Sequence, residues 1–110
     1  REGRDGEAIG QYEDALRLKP DLLEVRHNLG AAWFELGERN KAAETFRETI
    51  RLRPDAAYAY NQLGEILLGQ DKAAEAVDVY EAGLRHSPED KDLRSGLEKA
   101  RTRRDGQQDS

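Results

Sequence analysis

Apolar residues recur along this chain at steps of three and four. Val25, Leu29, Ala32, Trp33 and Leu36 form one stripe, Ala42, Ala43, Phe46 and Ile50 a second, and Ala59, Leu63, Ile66 and Leu67 a third. Such steps bring residues to one side of an α-helix, and no alternating pattern of the kind a strand needs competes with them. The spacing predicts six helices at about 7–18, 22–36, 40–52, 56–69, 73–86 and 90–103. Short loops around 37–40 and 69–72 make consecutive helices antiparallel.

The stripes repeat with a period of 34 residues. At that shift Pro20, Pro54 and Pro88 superimpose, as do Ala8, Ala42 and Ala76, the aromatics Tyr12, Phe46 and Tyr80, the pairs Leu29-Gly30 and Leu63-Gly64, and Arg17, Arg51 and Arg85. A repeat of this length calls for stacked supersecondary units. Small residues let helices approach, a large aromatic fills the space between them, and proline disfavours helical geometry at the residue before it, so Lys19, Arg53 and Ser87 are expected to end helices. Asp21, Asp55 and Glu89 follow the prolines and are expected to receive the first N–H groups of the next helix, with Asp21 and Glu24 spaced as a capping box.

With these residues in place the chain resembles the tetratricopeptide repeat family, whose 34-residue unit carries Leu-Gly in its first helix, then Ala-x-x-x-aromatic, then proline. One unit reads Leu29, Gly30, Trp33, Gly37, Ala42, Phe46 and Pro54, and the next Leu63, Gly64, Leu67, Ala76, Tyr80 and Pro88. The resemblance covers residues 7–100 and implies an all-α fold, a right-handed superhelical stack of antiparallel helix pairs. It divides the chain into a partial repeat at 1–20 holding only a second helix, repeats at 21–54 and 55–88, a capping helix at 89–104 and a polar tail at 105–110. Gly3 aligns with Gly37, so residues 1–6 are expected to be a turn, and residues 107–110 to fray. Arg26 and Tyr60 stand where the family has tryptophan, Thr49 and Gly83 where it has a small alanine, and Glu98 where glycine would fall. Gly83 should cost about 1 kcal/mol in helix propensity relative to alanine.

Composition narrows the chemistry. The 110 residues carry 18 basic and 23 acidic side chains, a net charge of -5, with no cysteine and no methionine. Disulfides and thiolate metal sites are excluded, and an acidic balance argues against a nucleic-acid binder. Residues 91–104 are locally basic through Lys91, Arg94, Lys99, Arg101, Arg103 and Arg104; cations near a helix C-terminus complement its dipole, and no aromatic stacks among them to suggest RNA. No apolar run is long enough to cross a membrane, so a soluble chain is expected, the cytoplasm slightly favoured. A chain starting at Arg1 without any methionine reads as part of something longer.

Removing the core positions leaves the face that a stacked array turns inward: Glu24, His27, Asn28, Ala31 and Glu35 on one first helix, and Tyr58, Asn61, Gln62, Glu65 and Leu68 on the next, with Ser95 and Lys99 continuing on the last helix. Carboxamides can pair with an extended backbone and a tyrosine ring can take an apolar side chain, so this face is the expected peptide site, and its glutamates favour a neutral or basic partner. Within the family some arrays clamp a C-terminal carboxylate of heat-shock chaperones with lysine, asparagine and arginine; Ala31, Tyr58 and Gln62 occupy positions where this chain lacks that clamp. Asn28 and Gln62 resemble two members of the asparagine row of the O-linked sugar transferase superhelix. His27 has no second histidine one turn away and His86 sits at a helix end, so neither suggests a metal. Adjacent Trp33 and Phe34 point apart, Trp33 to the core and Phe34 to packing or to the groove.

No catalytic constellation, nucleotide loop, metal set or cofactor site is readable, so the chain is expected to be a non-catalytic interaction scaffold for an extended peptide or partner helix. A structural spacer and a substrate-presenting segment of a larger transferase are the alternatives. The helix bearing Ala8, Tyr12 and Ala15 lacks its expected partner, which predicts weak homodimerisation through residues 7–19.

Overall fold

The computed structural model describes residues 2–108, with side-chain surroundings for 6–107. It contains helices α1 (Glu2–Leu18), α2 (Leu23–Glu35), α3 (Arg39–Leu52), α4 (Ala57–Gly69), α5 (Ala73–His86) and α6 (Lys91–Gln108). Among the described residues there is no strand. Leu18, Leu52 and His86 are the last helical residues before each proline, so Lys19, Arg53 and Ser87 leave the helix where the pyrrolidine ring makes α geometry costly.

The two ends depart from expectation. Residues 2–6 are helical rather than a turn; a glycine in a helix costs only about 1 kcal/mol and does not forbid it. At the other end α6 continues to Gln108 instead of stopping near 103. The Arg103 guanidinium donates to the Leu68 carbonyl at 3.2 Å and the Gln107 amide to the Asp71 carbonyl at 3.2 Å. Polar bonds to the end of α4 and its turn thus hold a stretch that lacks apolar anchors. Residues 109 and 110 of the expected tail lie outside the described residues.

Capping also differs. Leu22 and Ala56 occupy the N-cap positions of α2 and α4 without a side-chain bond, so Asp21 and Asp55 stand one residue too early and the Asp21–Glu24 box does not form. At α6 the capping carboxylate is Asp90, which accepts from the Leu93 N–H at 2.9 Å, while Glu89 pairs with Arg94 at 3.4 Å. Between the helices of each pair the chain needs one left-handed residue. Gly37 supplies it at φ 81° and Asp71, 34 residues on, at φ 61°. Aspartate tolerates that region better than most side chains, and Gly69 closes α4 in ordinary helical geometry.

The helices form two compact units, α1–α3 up to Leu52 and α4–α6 from Arg53. In the first, α2 packs on both α1 and α3. Ile9, Leu16, Leu29 and Ala32 are buried together, with Tyr12, Leu22, Val25, Trp33 and Leu36 against them. The ring of Phe46 lies so close to Gly30 that an added Cβ would sit 2.5 Å from its Cζ. In the second, α5 packs on α4 and α6, and α4 also touches α6. Tyr80, 1% exposed, is held between Gly64 and Gly96, each of which would drive a Cβ into the ring. Gly83 is likewise required, since a Cβ there would lie 2.8 Å from the Cβ of Tyr60; its propensity cost is the condition of a close approach.

One hydrogen bond recurs with the 34-residue period. Six residues after each proline a side chain donates to that proline's carbonyl: Arg26 to Pro20 at 2.7 Å, Tyr60 to Pro54 at 2.6 Å and Arg94 to Pro88 at 2.9 Å. A guanidinium and a phenol thereby do one job, tying the turn to the first helix that follows it. Arg26 is buried for this purpose at 8% exposure.

Gly10 on α1 has open space around it whereas Gly64 has none. Gly10→Ala should therefore stabilise the chain by up to about 1 kcal/mol through helix propensity, while Gly64→Ala should destabilise it by about 1–3 kcal/mol through overpacking, both read by urea unfolding.

Candidate polar faces and cavity

Each unit presents its own polar face. On α2, Glu24, Asn28, Ala31 and Glu35 are exposed, because the neighbouring steps Leu29, Gly30 and Ala32 are taken by the core. His27 is half-buried, its ring tilted against Phe46 with centroids 6.1 Å apart. Trp33 is half-buried beneath the Lys41 ammonium, 4.6 Å from its centroid, and Phe34 is 45% exposed with the Arg39 guanidinium 5.7 Å from its ring. Phe34 is therefore covered by a cation rather than sealed by apolar packing.

On α4, Tyr58, Asn61 and Gln62 are half-buried and Glu65 is exposed. Leu68 does not belong to this face: it is 5% exposed. It lies one helical turn after Gly64, on the packed side with Ile66 and Leu67, and its carbonyl receives Arg103.

The second unit also holds a polar cavity of about 120 Å³. Asn61 and Glu65 from α4, Tyr80 from α5 and Asp92, Ser95, Gly96 and Lys99 from α6 line it. Helical spacing alone singles out Asn61, Glu65, Ser95 and Lys99. It does not single out Tyr80, Gly96 and Asp92, although Gly64, Tyr80 and Gly96 stand at equal steps of sixteen residues, the separation that also relates Gly30 to Phe46. That step was the available signal for a glycine on α6 meeting the same ring. Burial pushes the Tyr80 phenol up to about 12, and the nearby Glu65 carboxylate adds to the shift.

Most of the basic charge on α6 is engaged within the unit. Arg94 binds Pro88 and Glu89, Arg101 pairs with Glu81 at 3.2 Å, and Arg103 binds Leu68. Lys99 instead borders the cavity and a more open hollow of about 510 Å³ with Ser95, Glu98, Thr102 and Arg103. His86 stacks at 6.2 Å on Tyr60. Ala8, Tyr12 and Ala15 are half-buried on α1, Tyr12 packing against the core beside α2, and Leu18 at the end of that helix is 86% exposed. No group of three or more His, Asp or Glu side chains suited to a metal occurs among the described residues, and none of the described helices is long and apolar enough to cross a membrane.

These features define a helical-repeat protein, and comparison with known proteins identifies its class. A tetratricopeptide repeat family model matches residues 27–91. The chain belongs to the tetratricopeptide repeat family, with the all-α solenoid fold of that class. It is 35% identical over 99 residues to an Hsp70-Hsp90 organizing protein of Triticum aestivum, spanning 90% of this chain and 17% of that protein. It is 28% identical over 92 residues to small glutamine-rich tetratricopeptide repeat-containing protein 2 of Mycosarcoma maydis, spanning 84% of this chain and 26% of that one. The chain thus spans about a sixth to a quarter of these relatives. Among solved structures, the Sgt2 TPR domain from Aspergillus fumigatus superposes with a TM-score of 0.84 at 23% identity, covering 98% of this chain and 73% of that one. The first TPR of Spaghetti (RPAP3), bound to HSP90 peptide SRMEEVD, gives 0.77 at 24% identity, covering 91% and 79%.

The Tyr80 shift has a consequence for stability. A phenol whose ionisation is raised in the fold keeps its proton there while the unfolded chain loses it, so Tyr80 stabilises fully below pH ~10 and that contribution falls between about pH 10 and pH 12. Thermal unfolding across this window should show a steep loss, and Tyr80→Phe should flatten it.

Proposed function

We propose that this chain is a non-catalytic protein-interaction scaffold, each unit of which offers its own polar face, on α2 in the first and on α4 in the second, to an extended peptide or partner helix of neutral or basic character. The observation that carries this is the polar cavity in the second unit, where Asn61 and Glu65 of α4 meet Ser95 and Lys99 of α6. Core packing needs none of these four polar groups. The relatives support the general role: they include chaperone-organising proteins, and one solved neighbour holds a peptide. That peptide, SRMEEVD, is acidic, whereas this chain offers Glu24 and Glu35 on α2 and Glu65 on α4, all exposed, and lacks the clamp cations its family uses for a terminal carboxylate. Like charges brought together raise the free energy of a complex, so the preference here runs to the opposite sign.

Capped extended peptides of one length, made basic, neutral and acidic in turn, test this by calorimetric titration into the full chain. Basic and neutral peptides should bind and acidic ones should not. Replacing Glu24 and Glu35 together by glutamine should weaken the basic peptide about threefold to tenfold without moving the thermal midpoint. Preference for the acidic peptide, or the same affinity for all three, would overturn the assignment.

A further inference from the structure

We propose that the cavity between α4 and α6 of the second unit is an arginine-side-chain pocket, in which the Glu65 and Asp92 carboxylates, the Asn61 carbonyl oxygen and the Ser95 and Tyr80 hydroxyls accept from one guanidinium. This deepens the scaffold assignment and rests on it for the peptide that carries the arginine.

Four observations support the pocket. The first is the state of Tyr80. Its side chain is 99% withdrawn from solvent yet lines the cavity, and its hydroxyl makes no hydrogen bond to the described residues. Gly64 and Gly96 hold the ring from two helices, so the hydroxyl cannot swing away to find a partner. The hydroxyl keeps access to the cavity rather than being sealed without a bond, so an arriving donor meets an acceptor already held in place.

The second is charge. Two carboxylates face one ammonium around the lining, and neither Glu65, Asp92 nor Lys99 forms an ion pair within the described residues. The net lining is negative and suits a single cation.

The third is size and the number of acceptors. The cavity holds about 120 Å³, room for several water molecules at ~30 Å³ each, which is more than a compact ammonium fills. Its acceptors come from three helices and so surround the ligand. A guanidinium presents five N–H donors in a fixed plane and matches acceptors spread in that way, whereas an ammonium keeps its hydration and needs only one carboxylate.

The fourth is the contrast with α6's other cations. Arg94, Arg101 and Arg103 are all engaged by carbonyls or carboxylates of their own unit, so none of these arginines fills the pocket, and Lys99 is the α6 cation among its lining residues.

Titration of the isotope-labelled full chain with capped pentapeptides of glycine and alanine, bearing one central arginine, lysine or glutamate, tests the proposal by NMR. The arginine probe should shift the Ser95 and Gly96 backbone amides and the Asn61 side-chain amide, and bind about tenfold more tightly than the lysine probe. Glu65→Gln should weaken it about tenfold, because a hydrogen bond to a charged group is lost; Glu65 is exposed, so the fold is retained. Tyr80→Phe, which keeps the ring between its glycines, should weaken it about threefold or more, with thermal unfolding at neutral pH reporting that the unit is intact. Shifts from the glutamate probe through Lys99, equal binding of arginine and lysine probes, or an arginine titration that leaves these amides in place would each overturn the pocket. If the longer basic peptides bind while the arginine probe does not, the pocket fails and the scaffold assignment stands. If the arginine probe binds while the longer peptides do not respond to Glu24 and Glu35, the reverse holds.

Discussion

An aromatic ring pressed onto a glycine of the neighbouring helix sets the geometry of both units. Phe46 lies on Gly30, and Tyr80 lies between Gly64 and Gly96. A ring of this size buries a large apolar area only if two helix backbones come close on either side of it, and any Cβ at the contact holds them apart. The glycine gives up helix propensity and the ring gains contact. That exchange makes the spacing between glycine and aromatic a stricter requirement than the identity of the residues around them. The same packing explains Gly83, which meets the backbone-proximal part of Tyr60.

In the second unit this packing also creates the polar site. A phenylalanine between Gly64 and Gly96 would end at the ring, as Phe46 does in the first unit. Tyrosine carries a hydroxyl one bond further, to the mouth of the space between α4 and α6. The helices cannot close over it without burying a polar group, and they cannot open without releasing the ring. The cavity is thus a by-product of core packing that places a fixed polar atom beneath Asn61, Glu65, Asp92 and Ser95.

The turn after each proline is held by an equally economical device. The carbonyl of proline is left without a helical donor when the chain turns, and a long side chain six residues later reaches back to it. Arginine and tyrosine both have the reach, which is why the position tolerates different chemistry. In the first unit this takes a guanidinium out of water, and the Arg26 Nε has no partner among the described residues; the phenol at position 60 meets the same need with a single polar atom.

Much of the fold was legible in the residues themselves, because its determinants are local. A stripe of period 3.6 makes a helix whatever lies opposite, a proline ends one through its own ring, and the 34-residue recurrence of Pro20, Pro54 and Pro88 declares a repeated unit. The polar members of the α2 face were legible for the same reason, since helical spacing alone separates Asn28 from Leu29. What spacing could not decide was which atoms meet across helices. The burial of Leu68, the transfer of the cap from Glu89 to Asp90, the left-handed Asp71, the extension of α6 by Arg103 and Gln107, and the convergence of Tyr80, Asp92 and Gly96 on one cavity all depend on the approach of α4 to α6 or on the register of a turn. Those distances arise when side chains from separate helices compete for one space. No single stretch of the chain holds that information, and only the packed tertiary structure resolves it.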